Sequence, residues 1–221
     1  SMLETAAGQP LDLHEKFGTQ PAEDLLGLGF AAVQEECGEH ALAPAFVVAI
    51  IAAESLVNVG VGPLPDEGAH TADEMWANLA YFLKAVVPVA EQSGGRLALH
   101  PNDPPALVSR GSGQIMATLA GWKRLIEIVP SPANGITYDC GVTKEMGEDP
   151  VEVCRYFGQK DCINHMHFRN VRMRVPREQY TEVFPDEGEV NMFAVMKELV
   201  RQKYPRLIYP EHPRGLDADR E

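Results

Sequence analysis

The stretch INHMHFRNVR (163–172) carries two histidines and an arginine at steps of two, in a frame of apolar residues. Extended backbone sends successive side chains to opposite faces. One face of this segment therefore holds Ile163, His165, His167 and Arg169, and the other holds Asn164, Met166 and Phe168. Imidazole binds metals and exchanges protons near neutral pH. Guanidinium holds a carboxylate through a forked pair of hydrogen bonds. A strand ending in both groups is suited to metal-assisted chemistry on an acid.

Three other apolar runs end in groups of the same kind. His100 closes RLALH, Cys140 closes GITYDC, and Glu211 with His212 closes RLIYPEH. Each has a plainer reading alone: a hydrogen-bonded structural histidine, a small buried thiol, a solvated carboxylate. Taken together as the ends of parallel strands, His100, Cys140, His167 and Glu211 would meet in space. Nitrogen, sulfur and oxygen donors in one site suit Mn, Fe, Co or Zn, whereas Mg prefers oxygen alone. His165 is expected to support the site from a second layer. His14, His40 and His70 are assigned to the surface, and Cys37, Cys154 and Cys162 to packing. RGSG (110–113) offers Arg110 as a further carboxylate holder. Met116 stands where a dinucleotide-binding turn would need its third glycine.

The elements that must position these groups alternate. The spacing predicts a helix over 71–95, with Thr71 and Glu74 as a capping box and Met75, Leu79, Phe82, Leu83 and Val86 as its apolar stripe. Pro88 is expected to kink it. A second helix is expected over 113–129, with Met116, Leu119, Ile126 and Val129 inward. A third is expected over 149–158, with Asp149 as N-cap, Pro150 in the first turn and Gly158 as the stop. A fourth is expected over 191–204, with Phe193, Met196, Leu199 and Val200 inward. Strands fall at 96–101, 135–140, 163–171 and 206–212, and PDEGEV (185–190) reads as a solvated acidic turn. Nearer the start, AFVVAI and LVNVGVG look like strands and 21–42 looks helical. Repeated strand–helix steps imply a parallel sheet with right-handed crossovers. The expected fold class is an α/β, TIM-type (β/α) barrel forming a single domain over 1–221. About six strands are visible where eight are usual, so the barrel reads as short.

Composition narrows the function. The chain has 221 residues, 45% of them hydrophobic, and a formal net charge of −13. Such a surface repels phosphate backbones, so a nucleic-acid partner is not expected. The longest apolar run, ALAPAFVVAIIAA, is shorter than the ~20 residues of a membrane span. No leader pattern opens the sequence. Four scattered cysteines suit reduced thiols in the cytoplasm.

LALHPNDPP, GQIMATLAGWKRLIEIVPSPANGITYDCG, HFRNV, YTEVFPDEGEVNM and YPEHPRG occur in this order over roughly 71–217. In these motifs the chain resembles the mannonate dehydratase family. The resemblance implies a metal-dependent barrel related to xylose isomerase, which dehydrates D-mannonate to 2-keto-3-deoxy-D-gluconate with Mn or Fe(II). It implies metal ligation by His100, Cys140 and His167, with Glu211 where the family commonly has aspartate. It implies His212 as the acid/base residue and Arg169 and Asn170 as holders of the sugar acid; separately, the open edge of a short barrel favours a homo-oligomer. The family's strand–helix with a catalytic tyrosine is not among these residues, and 1–70 match it poorly. The alternatives are a sugar isomerase or epimerase of the same fold, a non-catalytic metal- or sugar-binding homologue, and a purely structural protein.

Overall fold

A computed structural model describes residues 68–210 and the backbone of 47–50. Five strands form one parallel sheet: β1 (Val47–Ile50), β2 (Arg96–Leu99), β5 (Asn134–Asp139), β6 (Ile163–His167) and β9 (Ile208–Tyr209), in that spatial order. Two small antiparallel pairs stand apart from it. They are β3 (Val108–Ser109) with β4 (Ser112–Gly113), and β7 (Asn170–Val175) with β8 (Gln179–Val183). The helices are α1 (Ala72–Ser93), α2 (Leu119–Ile128), α3 (Cys140–Glu145), α4 (Pro150–Gln159) and α5 (Met192–Arg201). The expected α/β class and parallel sheet are present, and the five strands do not close into a barrel among the described residues.

Local chemistry accounts for the helix starts. Thr71 and Glu74 form the reciprocal capping box. Asp149 accepts from the backbone N–H groups of Val151 and Glu152, and Pro150 occupies the first turn where no donor is needed. Thr118 caps α2 by accepting from Gly121. That cap starts the helix at Leu119, six residues later than the apolar pattern suggests. Residues 114–118 are instead held by Asn102, which accepts from the Met116 N–H, and by Trp122, whose indole N–H donates to the Met116 carbonyl.

The buried faces differ from the expected stripes. In α1, Trp76, Leu83, Val87 and Ala90 are buried, so the inward line runs one residue past most of the predicted positions, and the helix continues through Pro88 to Ser93. In α5, Met192, Val195, Glu198 and Leu199 face inward, whereas Phe193 and Val200 are 75% and 69% exposed. Glu198 can be buried there because Arg155 and Arg201 reach its carboxylate. Gly158 lies inside α4 and does not stop it. A side chain at that position would collide with Gln202 beyond the end of α5, so the glycine permits close helix contact.

The core lies between sheet and helices. Leu97, Leu99, Ile136, Tyr138, Ile163 and Met166 pack with Leu83, Val87, Trp122, Leu125 and Phe157. The Tyr138 hydroxyl donates to the Pro150 carbonyl at 2.6 Å. By alternation, Ala98, Gly135, Thr137 and Asp139 belong to the other face of the sheet. Asn164 marks an irregularity in the β5–β6 register. Its amide donates to the carbonyls of Leu97 and Pro132 at 2.7 and 3.1 Å and accepts from Arg96 at 3.0 Å. Replacing Asn164 with Ala strips a hydrogen bond from one buried and one part-buried carbonyl, so the midpoint of urea denaturation should fall by the equivalent of ~2 kcal/mol. An unchanged midpoint would show that water replaces the amide.

Candidate metal centre

β2, β5 and β6 are neighbours in the sheet and run parallel, so their carboxyl ends emerge side by side. His100 follows β2 directly, and Asp139 and His167 are the last residues of β5 and β6 and are register partners. One ligand atom from each of His100, Asp139 and His167 lies within 4.8 Å of the others. The two imidazoles are 8% exposed and Asp139 is fully buried.

The hydrogen bonds fix how the rings are turned. Nδ1 of His100 is 2.7 Å from the Pro101 carbonyl oxygen, which can only accept, so Nδ1 carries a proton and, in the neutral ring, Nε2 keeps its lone pair. That lone pair faces His167 Nδ1 at 3.0 Å, and the same nitrogen lies 3.6 Å from Asp139 Oδ2. Two nitrogens at adjacent positions on one cation, each about 2.1 Å from it, stand about 3 Å apart. The observed spacing matches that distance, and a cation there would take the place of the proton the two rings share. His165 stacks edge-on to His167 with ring centroids 5.0 Å apart, and Tyr209 packs across both rings.

The sequence placed Cys140, not Asp139, at the end of β5. The strand stops one residue sooner, because Asp139 accepts from the Val142 N–H and caps α3. Cys140 thus begins a helix and leaves the strand's alternation. Its thiol donates toward the carbonyls of His167 and Arg169 at 3.4 and 3.1 Å and packs against the Met192 sulfur. Burial pushes the thiol well above its ordinary range. Cys140 is not part of the His100–Asp139–His167 group. Asp139 was legible by parity with Gly135 and Thr137, and by the preference of aspartate for helix caps.

Arg169 also departs from its expected place. β6 ends at His167, so Arg169 lies in the link to β7, where it is only 2% exposed. Its Nε donates to both oxygens of Asp139 at 3.2 and 3.0 Å. One terminal nitrogen donates to Glu182 and the other to Asp103, each at 2.7 Å. Glu145 also comes within 3.0 Å of the guanidinium, in an orientation that forms no hydrogen bond. Gly141 makes room for this packing, since a Cβ there would meet the Arg169 shaft at 2.8 Å. Burial opposes the charge on Asp139, but the Arg169 guanidinium, with His167 beside it, outweighs that and holds the carboxyl well below the usual range. Asn170 has its four hydrogen-bonding positions filled by Val171, Pro185 and Val190. Arg110 is half-buried in the turn between β3 and β4, with φ of 48°. Glu211 and His212 lie outside the described residues; they follow Tyr209, the register partner of His167, by two and three positions.

Glu145 carries a different charge from its neighbours. Burial, only partly offset by Arg169 and reinforced by Asp103 and Asp139, pushes its carboxyl up to about 9. It therefore keeps its proton at neutral pH. Three carboxylates then face one guanidinium, an excess of two negative charges in the cluster whose Asp139 member meets the imidazoles. A divalent cation neutralises that remainder, so both the donor set and the charge fit one.

A profile of the D-mannonate dehydratase (UxuA) family matches residues 69–221. The chain belongs to this family. It is 34% identical over 152 residues to a mannonate dehydratase of Streptococcus equi subsp. zooepidemicus, covering 68% of this chain and 42% of that protein. With a mannonate dehydratase of Enterococcus faecalis it shares 35% over 151 residues, covering 66% and 41%. The crystal structure of mannonate dehydratase from Streptococcus suis serotype2 superposes with a TM-score of 0.59 at 32% identity, over 63% of this chain and 40% of that one. A xylose isomerase domain protein from Alicyclobacillus acidocaldarius shares the fold, with a TM-score of 0.55 at 19% identity, over 94% of this chain and 68% of that one. The chain spans about two fifths of the length of the curated relatives it matches. Among the described residues, no helix is long and apolar enough to cross a membrane.

The Glu145 carboxyl makes stability depend on pH. Its folded value of about 9 lies above the ordinary 4.5, so the folded state holds the proton more tightly. That contribution is complete below the ordinary value and is lost as pH rises toward the folded one. Glu145→Gln supplies a permanently neutral side chain of the same shape. The variant's melting temperature, measured relative to the parent chain, should rise steadily from pH 5 to pH 9. A difference independent of pH would show that Glu145 is ionised in the fold.

Proposed function

We propose that this chain carries the metal centre of an enzyme that dehydrates D-mannonate, or a closely related aldonic acid, to a 2-keto-3-deoxy acid. The observation that carries the reading is the meeting of His100, Asp139 and His167 at adjacent strand ends within a segment matching the mannonate dehydratase family. We assign these three residues as the cation's protein ligands, and Glu211 as a fourth. Two imidazoles with carboxylate oxygen are a donor set suited to Mn(II) or Fe(II).

Loss of water from a sugar acid removes the proton at C2 and the hydroxyl at C3. The C2 proton is only weakly acidic, so negative charge must be stabilised as it leaves. A bound divalent cation supplies that stabilisation, worth several kcal/mol. The chain's own residues do the rest. The Pro101 carbonyl fixes the His100 ring with its lone pair toward the site. Asp139 supplies a carboxylate that stays ionised, because Arg169 holds it so. His165 and Tyr209 pack beside His167 and restrict its ring. His212 is the proposed proton carrier, since imidazole accepts and returns a proton near neutral pH.

The test separates Asp139 from Cys140. Mn(II) at a hundredfold excess over its Kd should stabilise the chain by about 2.7 kcal/mol, read as a rise in Tm. Asp139→Asn should abolish that rise and lower mannonate turnover at least about 100-fold, whereas Cys140→Ser should keep both within a few-fold. Loss of the metal response in Cys140→Ser, with Asp139→Asn intact, would move the ligand back to the thiol. Metal-dependent isomerisation of a neutral sugar, with no keto acid formed from mannonate, would replace dehydration as the reaction.

A further inference from the structure

We propose that Arg169 is a positioning residue: it orients the Asp139 carboxylate toward the cation, is itself anchored by Asp103 and Glu182, and does not grip the substrate. This rests on the metal-centre reading above. It differs from the expectation that the arginine beside the histidines holds the sugar acid.

The geometry leaves little alternative. A guanidinium has five N–H donors in a rigid plane. Here three of the five are engaged, Nε on Asp139, one terminal nitrogen on Glu182 and the other on Asp103, so every nitrogen already faces a carboxylate. The side chain is 2% exposed, and its shaft rests against the backbone at Gly141. A substrate carboxylate would have to reach a side chain that is nearly fully buried and bring another negative charge among Asp103, Asp139 and Glu182. Repulsion disfavours that approach at these distances. Serving Asp139 instead requires no movement. The carboxylate is gripped from one side by Arg169 and by the Val142 N–H at 2.7 Å, which sets the angle at which Oδ2 faces His167. Tyr180 completes the outer anchor by donating to Asp103 at 3.0 Å. The residues that fix Asp139 thus come from the loop after β2, from α3 and from the β7–β8 hairpin. A ligand held from three segments keeps its orientation when the cation leaves.

Mn(II) binding to the 221-residue chain can be followed by loss of the free-ion EPR signal, and KM for mannonate measured at saturating Mn(II). Arg169→Lys keeps the charge but cannot span three carboxylates. It should weaken Mn(II) binding about tenfold or more and leave KM for mannonate within twofold. Should that variant fail to fold, Glu182→Gln loosens the anchor from the part-exposed hairpin. It should weaken Mn(II) binding a few-fold, again without a change in KM. Unchanged Mn(II) binding with a tenfold higher KM would overturn the proposal and assign Arg169 to the substrate. Unchanged binding and KM in both variants would overturn it as well. A parent chain that binds Mn(II) but makes no keto acid would sink the dehydration reading alone, since the metal-binding comparison still decides the role of Arg169.

Discussion

The carboxylate of Asp139 is where the architecture and the chemistry of this chain meet. It ends β5, caps α3, binds Arg169 and faces His167. Burying a charge costs several kcal/mol unless partners replace water, and the partners here are what hold the upper part of the structure together. Removing Arg169 would leave that charge unsolvated. Moving the cap would lengthen β5 and bring Cys140 into the strand. The link between β6 and β7, the β7–β8 hairpin and the loop around Asp103 all close on the same guanidinium.

Charge explains why such a cluster is tolerated. Four acidic groups around one arginine would repel strongly if all were ionised. Burial keeps Glu145 protonated and Arg169 keeps Asp139 ionised. Two carboxyls a few residues apart are thus held in opposite states by their surroundings. What remains is an excess of two negative charges in the cluster, and its Asp139 member faces the two imidazoles. The pairing of buried nitrogen donors with a surplus of carboxylate is the physical reason to read a metal centre here and not an ordinary buried ion pair.

Much of the site was legible in the pattern of residues. Polar groups at the ends of apolar runs placed His100 and His167 together, because parallel strands in register carry their ends to one place. Where the expectation slipped, a local bond had shifted an element's end by a residue or more. Asp139 caps a helix, so Cys140 falls outside the strand; Thr118 caps α2, so residues 113–118 are not helical. Alternation assigned Arg169 to a strand that had already ended at His167. Glu145 and Glu182 gave no signal at all, since a lone acid in a helix or hairpin reads as solvated until its neighbours are known.

Residue order alone determined the parallel α/β plan, most helix starts and the meeting of His100 with His167, because apolar periodicity and capping are properties of neighbouring residues. Only the tertiary structure decided which carboxylate joins them, which acid keeps its proton and what Arg169 touches. Those outcomes depend on desolvation and on charges brought together from positions 103, 139, 145, 169 and 182, which no local pattern links.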